Sequence, residues 1–324
     1  MKTVLVSGGA GFIGSNFIKY FLRRNKNFIV INMDKLTYTS NLDNMREFED
    51  SPRHQFIKGD ICNQDLVTFV LKKYKPDYII NFAAESQVDR SINNPILSGQ
   101  SNIIGTLSLL EGAKNIWKRN KFSGNKFIQI SADDVYGSLN NKNDAFFEDS
   151  SLNPYTPFSA TKAAADMLCQ SYYKTYGLPV IITRCCNNYG PGQHIEKFIP
   201  NCIKSALDNK PIPLYGDGNS SREWIYVTDH AIALIRTLFY GKPGEIYNIG
   251  SGEEISNIDL ARKVLSILNN PQYLIEKVKE TPGQDCRYAL NSYKIRNNLE
   301  WSHKMNLNEG LKDTILWYKD KLNI

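Results

Sequence analysis

Thr3-Val4-Leu5-Val6-Ser7-Gly8-Gly9-Ala10-Gly11-Phe12-Ile13-Gly14 carries an apolar run into a glycine-rich turn and out into a helical period. Such a turn binds the pyrophosphate of a dinucleotide when it links a first strand to a first helix. Gly8 permits the tight turn, Gly11 lets backbone N–H groups approach the phosphates, and Gly14 lets helix and strand pack closely. Phe12 and Ile13 open the helix, whose N-terminus supplies positive potential to the phosphates. Asp34 follows 20 residues after Gly14, at the end of the next apolar run, where a carboxylate accepts hydrogen bonds from ribose hydroxyls. That carboxylate repels a 2′-phosphate and so favours NAD over NADP, with the neighbouring Lys35 as a counter-indication.

The rhythm around this motif predicts a doubly wound α/β fold. Short apolar runs at residues 3–7, 28–33, 55–58, 78–82, 127–131 and 180–184 alternate with helix-period stretches at 13–24, 64–74, 102–118 and 160–176. Strands alternating with crossover helices give a parallel (Rossmann) sheet. Asp60-Ile61 and Phe82-Ala83-Ala84 fall at the carboxyl ends of the third and fourth strands, where they form a floor under adenine and ribose. After about residue 187 Gly and Pro crowd 189–193 and 210–219, and helices follow at 258–268 and 309–322. The expected division is therefore an NAD-binding domain over 1–186, with later segments returning to it, and a smaller substrate domain over 187–324. The asparagine-rich stretch 140–143 reads as a loop.

Composition excludes several classes. A chain of 324 residues with 42% hydrophobic and 22% charged residues can bury a large core and is neither disordered nor membrane-spanning by composition. The net charge of +6 is scattered without a basic run, which argues against a nucleic-acid partner. The six cysteines form no C-x-x-C pair and read as reduced thiols of a cytoplasmic protein. The four histidines are far apart, so no metal site is expected. No signal-peptide pattern and no bilayer-length apolar run is present, so no membrane association is expected.

Beyond the glycine turn, a set of motifs runs nearly end to end: Ala83-Ala84-Glu85-Ser86 leading to Val88-Asp89-Arg90-Ser91, Ser131 to Gly137, Asn187-Asn188-Tyr189-Gly190-Pro191, Glu196-Lys197, Arg222-Glu223-Trp224, Tyr247-Asn248-Ile249-Gly250, and Pro282-Gly283-Gln284-Asp285-Cys286-Arg287-Tyr288. On these the sequence resembles the dTDP-glucose 4,6-dehydratases of the extended short-chain dehydrogenase/reductase superfamily. The resemblance implies oxidation of the hexose at C4 by NAD, loss of water across C5 and C6, and reduction at C6 to a 4-keto-6-deoxy sugar. It also implies a homodimer through helices 102–118 and 160–176.

The family catalytic positions map onto Ala132-Asp133-Asp134 in place of Thr-Asp-Glu, and onto Phe158-x-x-x-Lys162 in place of Tyr-x-x-x-Lys. Phe158 has no hydroxyl to take the sugar's proton, and loss of a positioned acid/base lowers rate by on the order of 10²–10⁴-fold. Ala132 lacks the hydroxyl that orients the 4-oxygen, and Asp134 is one methylene short. Two explanations stand: deliberate deletion of hydroxyls, or natural divergence to a silent binder or to altered chemistry.

By resemblance the cofactor set further includes Thr37, Ser101, Phe158 and Lys162, and the substrate set comprises Glu85, Ser86, Ala132, Asn187, Lys197, Pro213, Tyr215, Arg222, Asn257 and Arg287. Gln87 and Gln284 occupy positions that are often His in the thymidine-specific enzymes, so dTDP-glucose and UDP-glucose both stand as substrates. The alternatives are a UDP-hexose 4-epimerase, which needs no Asp133-Asp134 pair, and a non-catalytic sugar-nucleotide-binding protein.

Overall fold

The computed structural model describes residues 1–141, 144–279 and 287–322. Its main sheet has seven parallel strands: β1 (Lys2–Ser7), β2 (Phe28–Asp34), β3 (His54–Lys58), β4 (Tyr78–Asn81), β5 (Lys126–Ala132), β6 (Val180–Cys185) and, after three outlying strands, β10 (Ile246–Ile249). The spatial order is β10-β6-β5-β4-β1-β2-β3. The chain winds outward from β1 to β3, then reverses to β4 on the other side of β1. A crevice opens at such a reversal, above the carboxyl ends of the strands.

Burial on both faces explains the near-continuous apolar runs: β4 and β6 are buried at every residue. Phe17, Ile18 and Phe21 of the helix Phe12–Arg24 join Leu234 and Leu238 in the core on one face. Val67, Leu71, Leu109, Leu110 and Trp117 cover the other. The remaining strands, β7 (Asn187–Tyr189), β8 (Ile212–Tyr215), β9 (Ser221–Tyr226), β11 (Glu254–Ser256) and β12 (Ile275–Val278), make a three-stranded sheet β11-β9-β7 and a two-stranded pair β12-β8. They enclose a third core built on Ile199, Ile203, Leu260, Val264, Leu311 and Ile315.

The doubly wound expectation agrees with this architecture. Two helices start three residues away from their predicted bounds. The stretch expected as one helix over 102–118 begins as a π-helical segment, Gln100–Ile104, before the α-helix Gly105–Trp117. The Asn102 side chain is pulled both ways: its Oδ1 accepts from the Glu85 N–H at 2.9 Å and its Nδ2 donates to the Thr161 hydroxyl at 2.9 Å. The Thr106 hydroxyl donates to the Asn102 carbonyl at 2.7 Å, a further side-chain contact on this wide turn. The helix expected from 160 starts earlier, as Pro157–Tyr176, because Thr156 and Ser159 cap one another across Pro157 at the first helical position. Gln284 and Cys286 lie outside the described residues, as does part of the loop at 140–143.

Candidate active site

A cavity of about 650 Å³ runs from the glycine turn to the second, smaller sheet. At its first end β1 delivers Gly8 in the left-handed region, with φ +76°, and a Cβ there would stand 2.6 Å from the Ala83 backbone nitrogen. Only glycine fits that approach. Gly11 caps the helix Phe12–Arg24, so its first N–H groups face the cavity, and Gly14 packs against the Gly8 carbonyl with no room for a side chain. Asp34, buried at the end of β2, accepts from the Ala10 N–H at 3.0 Å, the Leu36 N–H at 2.7 Å and the Ser40 hydroxyl at 3.0 Å. It therefore pins the glycine turn to the loop beyond β2.

Lys35 lies along the floor of the cavity. Its Nζ donates to the Ser101 hydroxyl at 2.7 Å and stands 3.4 Å from Glu85 and 3.8 Å from Asp60. Phe12, Ile13, Thr37, Ile61, Phe82 and Ala84 line the same end. This end fits a dinucleotide on its own geometry: a glycine cradle closed to any Cβ, a helix N-terminus, and a fixed carboxylate at the ribose position.

The central part of the cavity is built where β5 ends. Ala132 closes the strand, and Asp133 and Asp134 open a short 3₁₀ turn, Asp133–Tyr136. Burial, reinforced by the neighbouring carboxyls of Asp134 and Glu223, raises Asp133 well above the usual carboxylate range. Its Oδ2 has no hydrogen-bond partner among the described residues. Beneath it Glu223 is pushed up to about 7 by burial, although it accepts from the Gly252 and Leu290 N–H groups at 2.6 and 2.9 Å. A carboxyl that keeps its proton near neutrality is equipped to donate it.

Opposite, Phe158 sits in the first turn of the helix Pro157–Tyr176, its N–H donating to the Ser91 hydroxyl at 3.1 Å. Lys162 follows one turn later; its Nζ donates to the Ile130 carbonyl at 2.5 Å, and burial lowers its pKa. Phe158, Lys162, Ala132, Asp133 and Asp134 all line the cavity. Behind them Arg184 and Asp166 form an ion pair at 2.9 Å with both side chains buried.

Ser86, Asn187, Lys197, Pro213, Tyr215, Arg222 and Asn257 line the far end. Lys197 donates to the Ser86 carbonyl at 3.0 Å, and burial pulls it down to about 8. The Arg222 guanidinium lies over the Tyr288 ring at 4.7 Å.

Two predicted residues stand off the wall. Arg287 grips Glu254 through two bonds, at 2.6 and 2.7 Å, and donates to the Asn141 and Asp144 carbonyls. Glu85 is buried behind the cavity with Lys35 as its ion-pair partner. The structure adds wall residues that the sequence reading did not single out as site residues, among them Cys185, Cys186, Asn188, His194 and His230. Position at the carboxyl end of β6 is the signal that marks Cys185, whereas nothing in chain spacing ties it to His230.

The sequence model of the GDP-mannose 4,6-dehydratase family matches residues 5–314. The dTDP-glucose 4,6-dehydratase of Haemophilus influenzae is 43% identical, the match covering 98% of each chain. Among solved structures, the dTDP-glucose 4,6-dehydratase of Bacillus anthracis in complex with NAD is 42% identical, with a TM-score of 0.91 over 100% of this chain and 98% of that one. The UDP-glucose 4-epimerase of Thermotoga maritima with UDP-glucose shares the fold at a TM-score of 0.88 but is 27% identical, over 99% of both chains.

Proposed function

Since the chain belongs to the GDP-mannose 4,6-dehydratase family and is similar over its length to dTDP-glucose 4,6-dehydratases, we propose that it dehydrates a nucleoside-diphosphate glucose to the 4-keto-6-deoxy sugar. The nucleotide is dTDP or UDP, and the rate is held down by Phe158 and Ala132. The observation that carries this reading is the buried Asp133 beside Asp134 at the end of β5, in one cavity with the Gly8–Gly14 cradle.

NAD is the resident cofactor in this reading, held by the glycine turn, Asp34 and Lys162, and it supplies reversible oxidation of the sugar. The chain's own residues do the rest. Asp133, whose proton is held more tightly because of burial, donates to the departing 6-oxygen, and Asp134 takes the C5 proton. Lys197, Arg222 and Asn187 bind the diphosphate, and Tyr215 and Pro213 border the base. No phenol at 158 receives the 4-hydroxyl proton, so turnover is slow.

The cofactor part comprises 1–186 together with β10 and the helices Val227–Tyr240 and Tyr293–Leu299 that pack into its core, and the sugar-nucleotide part is built chiefly from the remaining segments. Ile104 and Met167, large apolar side chains left exposed on helices 100–117 and 157–176, support pairing with a second copy through those helices. Among the described residues no helix is long and apolar enough to cross a membrane, and Cys62, Cys169, Cys185, Cys186 and Cys202 are free thiols, which suits a reducing cytoplasm.

The test is incubation with dTDP-glucose and UDP-glucose, followed by mass spectrometry for a nucleotide sugar lighter by one water. We expect slow product formation by this chain and faster formation after Phe158→Tyr with Ala132→Thr. No product from either chain would overturn the reading in favour of a silent binder. That second reading has one observation in its favour, the missing hydroxyl at 158.

A further inference from the structure

The cavity wall holds a linked group of side chains that dehydration leaves unused. Cys185 ends β6, directly across the sheet from Ala132. Its sulfur accepts from Asn188 Nδ2 at 3.3 Å, and the same Nδ2 donates to the Cys186 carbonyl at 3.0 Å. That second bond fixes which end of the Asn188 amide is nitrogen, so its Oδ1, 2.8 Å from His230 Nδ1, accepts the proton of that ring nitrogen. Neutral His230 therefore presents Nε2 as a lone pair. This atom is fully buried and makes no hydrogen bond among the described residues, and the His230 residue is an electrostatic neighbour of the Cys185 thiol. Cys185, Asn188 and His230 all line the cavity.

A thiol, a buried base without a partner, and an amide that orients both are the parts of an activated nucleophile. We propose that Cys185, with His230 as proton acceptor and Asn188 as orienting residue, is a nucleophilic thiol site for small α,β-unsaturated carbonyl compounds that enter the sugar cavity. The thiol proton passes to His230 Nε2, and the sulfur electron pair forms a bond to the β-carbon. The C=C pair moves onto the α-carbon and carbonyl, and the α-carbon then takes the proton back from His230. The product is a thioether, reached with no oxidant or reductant. The site stands on the geometry of the cavity wall and is independent of whether the chain dehydrates a sugar.

Charge around the sulfur agrees. Burial opposes a thiolate at Cys185, but hydrogen bonds from Cys186 and Asn188, together with the charge His230 carries once it has taken the thiol proton, outweigh it and bring the thiol down to about 5. The other titratable groups facing this sulfur are Cys186, Asp133 and Glu223; burial pushes all three up, which lessens the negative charge opposing a thiolate. Cys62 makes the comparison: it is more exposed, yet burial and Asp60 push it up to about 11. At pH 7 a thiol near 5 is almost wholly thiolate, and one near 11 is thiolate in roughly one part in 10⁴. The weaker intrinsic nucleophilicity of the more acidic sulfur removes roughly 10³ of that advantage, leaving a net factor of roughly ten.

The probe is N-ethylmaleimide, applied briefly to the folded chain at pH 7, with the rate at each cysteine read by peptide mass spectrometry. Cys185 should be labelled about tenfold faster than Cys62, and His230→Gln should slow Cys185 by about tenfold while leaving Cys62 unchanged. Labelling of Cys185 no faster than Cys62, first labelling at Cys186, or an unchanged Cys185 rate in a folded His230→Gln chain would each overturn the proposal. If His230→Gln does not fold, the ratio of rates within the unaltered chain decides by itself.

Discussion

Restoring a hydroxyl at position 158 should raise turnover by on the order of 10²–10⁴-fold, the usual contribution of one positioned acid/base. That range is about 2.7–5.4 kcal/mol of barrier. The geometry that permits the gain is already present. Phe158 is 9% exposed on the cavity wall, its backbone is held by Ser91, and Lys162 lies one turn along the same helix with its ammonium disfavoured by burial. A phenol there needs no movement of the helix, because the capping pair Thr156 and Ser159 fixes the first turn independently of the side chain. The added hydroxyl opens into the cavity, where water bonds it in the unliganded protein, so Phe158→Tyr should melt close to the parent. The assay is the alkaline absorbance of the 4-keto product across a pH series with dTDP-glucose and UDP-glucose. A Phe158→Tyr chain that binds nucleotide sugar as the parent does, and forms product no faster, would refute the reasoning.

Three further outcomes follow from the same geometry. Asp133→Asn should abolish product formation and also stabilise the fold at neutral pH: the folded-state pKa lies above the usual 3.8, so the parent loses stability as pH rises from that value toward the raised one. Thermal melts of the two chains should coincide in strong acid and diverge with rising pH, and a parallel pair of curves would contradict this. Gly8→Ala places a side chain at φ +76° and 2.6 Å from the Ala83 nitrogen, so it should destabilise by about 1–3 kcal/mol from backbone strain and remove calorimetric binding of NAD. Arg184→Leu leaves Asp166 buried without its cation and should lower the urea-derived stability by about 3–5 kcal/mol; a loss under 1 kcal/mol would mean that water reaches the pair.

The architecture was legible because its determinants are local. The apolar runs of β1, β2, β4, β5 and β6 and the glycine turn each carry their own signal, and the parallel sheet follows from their alternation with helices. Asp34 was legible because it ends the second strand, 20 residues after Gly14, whereas Asp133 and Lys162 were singled out only by their match to motif positions of the family the sequence resembles. What escaped the sequence depends on contacts between distant segments. The Asn188–His230 bond joins residues on β7 and on the helix Val227–Tyr240. The π turn at Gln100–Ile104 is accompanied by side-chain bonds of Asn102 to Glu85 and Thr161. Arg287 reads as a phosphate grip, but Glu254, brought near by β11, takes its Nε and Nη2, and the Asn141 and Asp144 carbonyls take its Nη1. A capping box written with Ser instead of Glu or Gln hid the true start of the helix Pro157–Tyr176.

The place of β10 has a consequence for biosynthesis. Residues 246–249 hydrogen-bond to β6, whose six residues are all buried, so until that late segment has been translated β6 is the bare margin of the sheet. An unpaired apolar margin is a template for association with other chains. A nascent polypeptide halted at about residue 240, or a fragment ending near 186, should accumulate in inclusion bodies. Release of roughly 250 residues from the ribosome is then the event that seals the nucleotide-binding half.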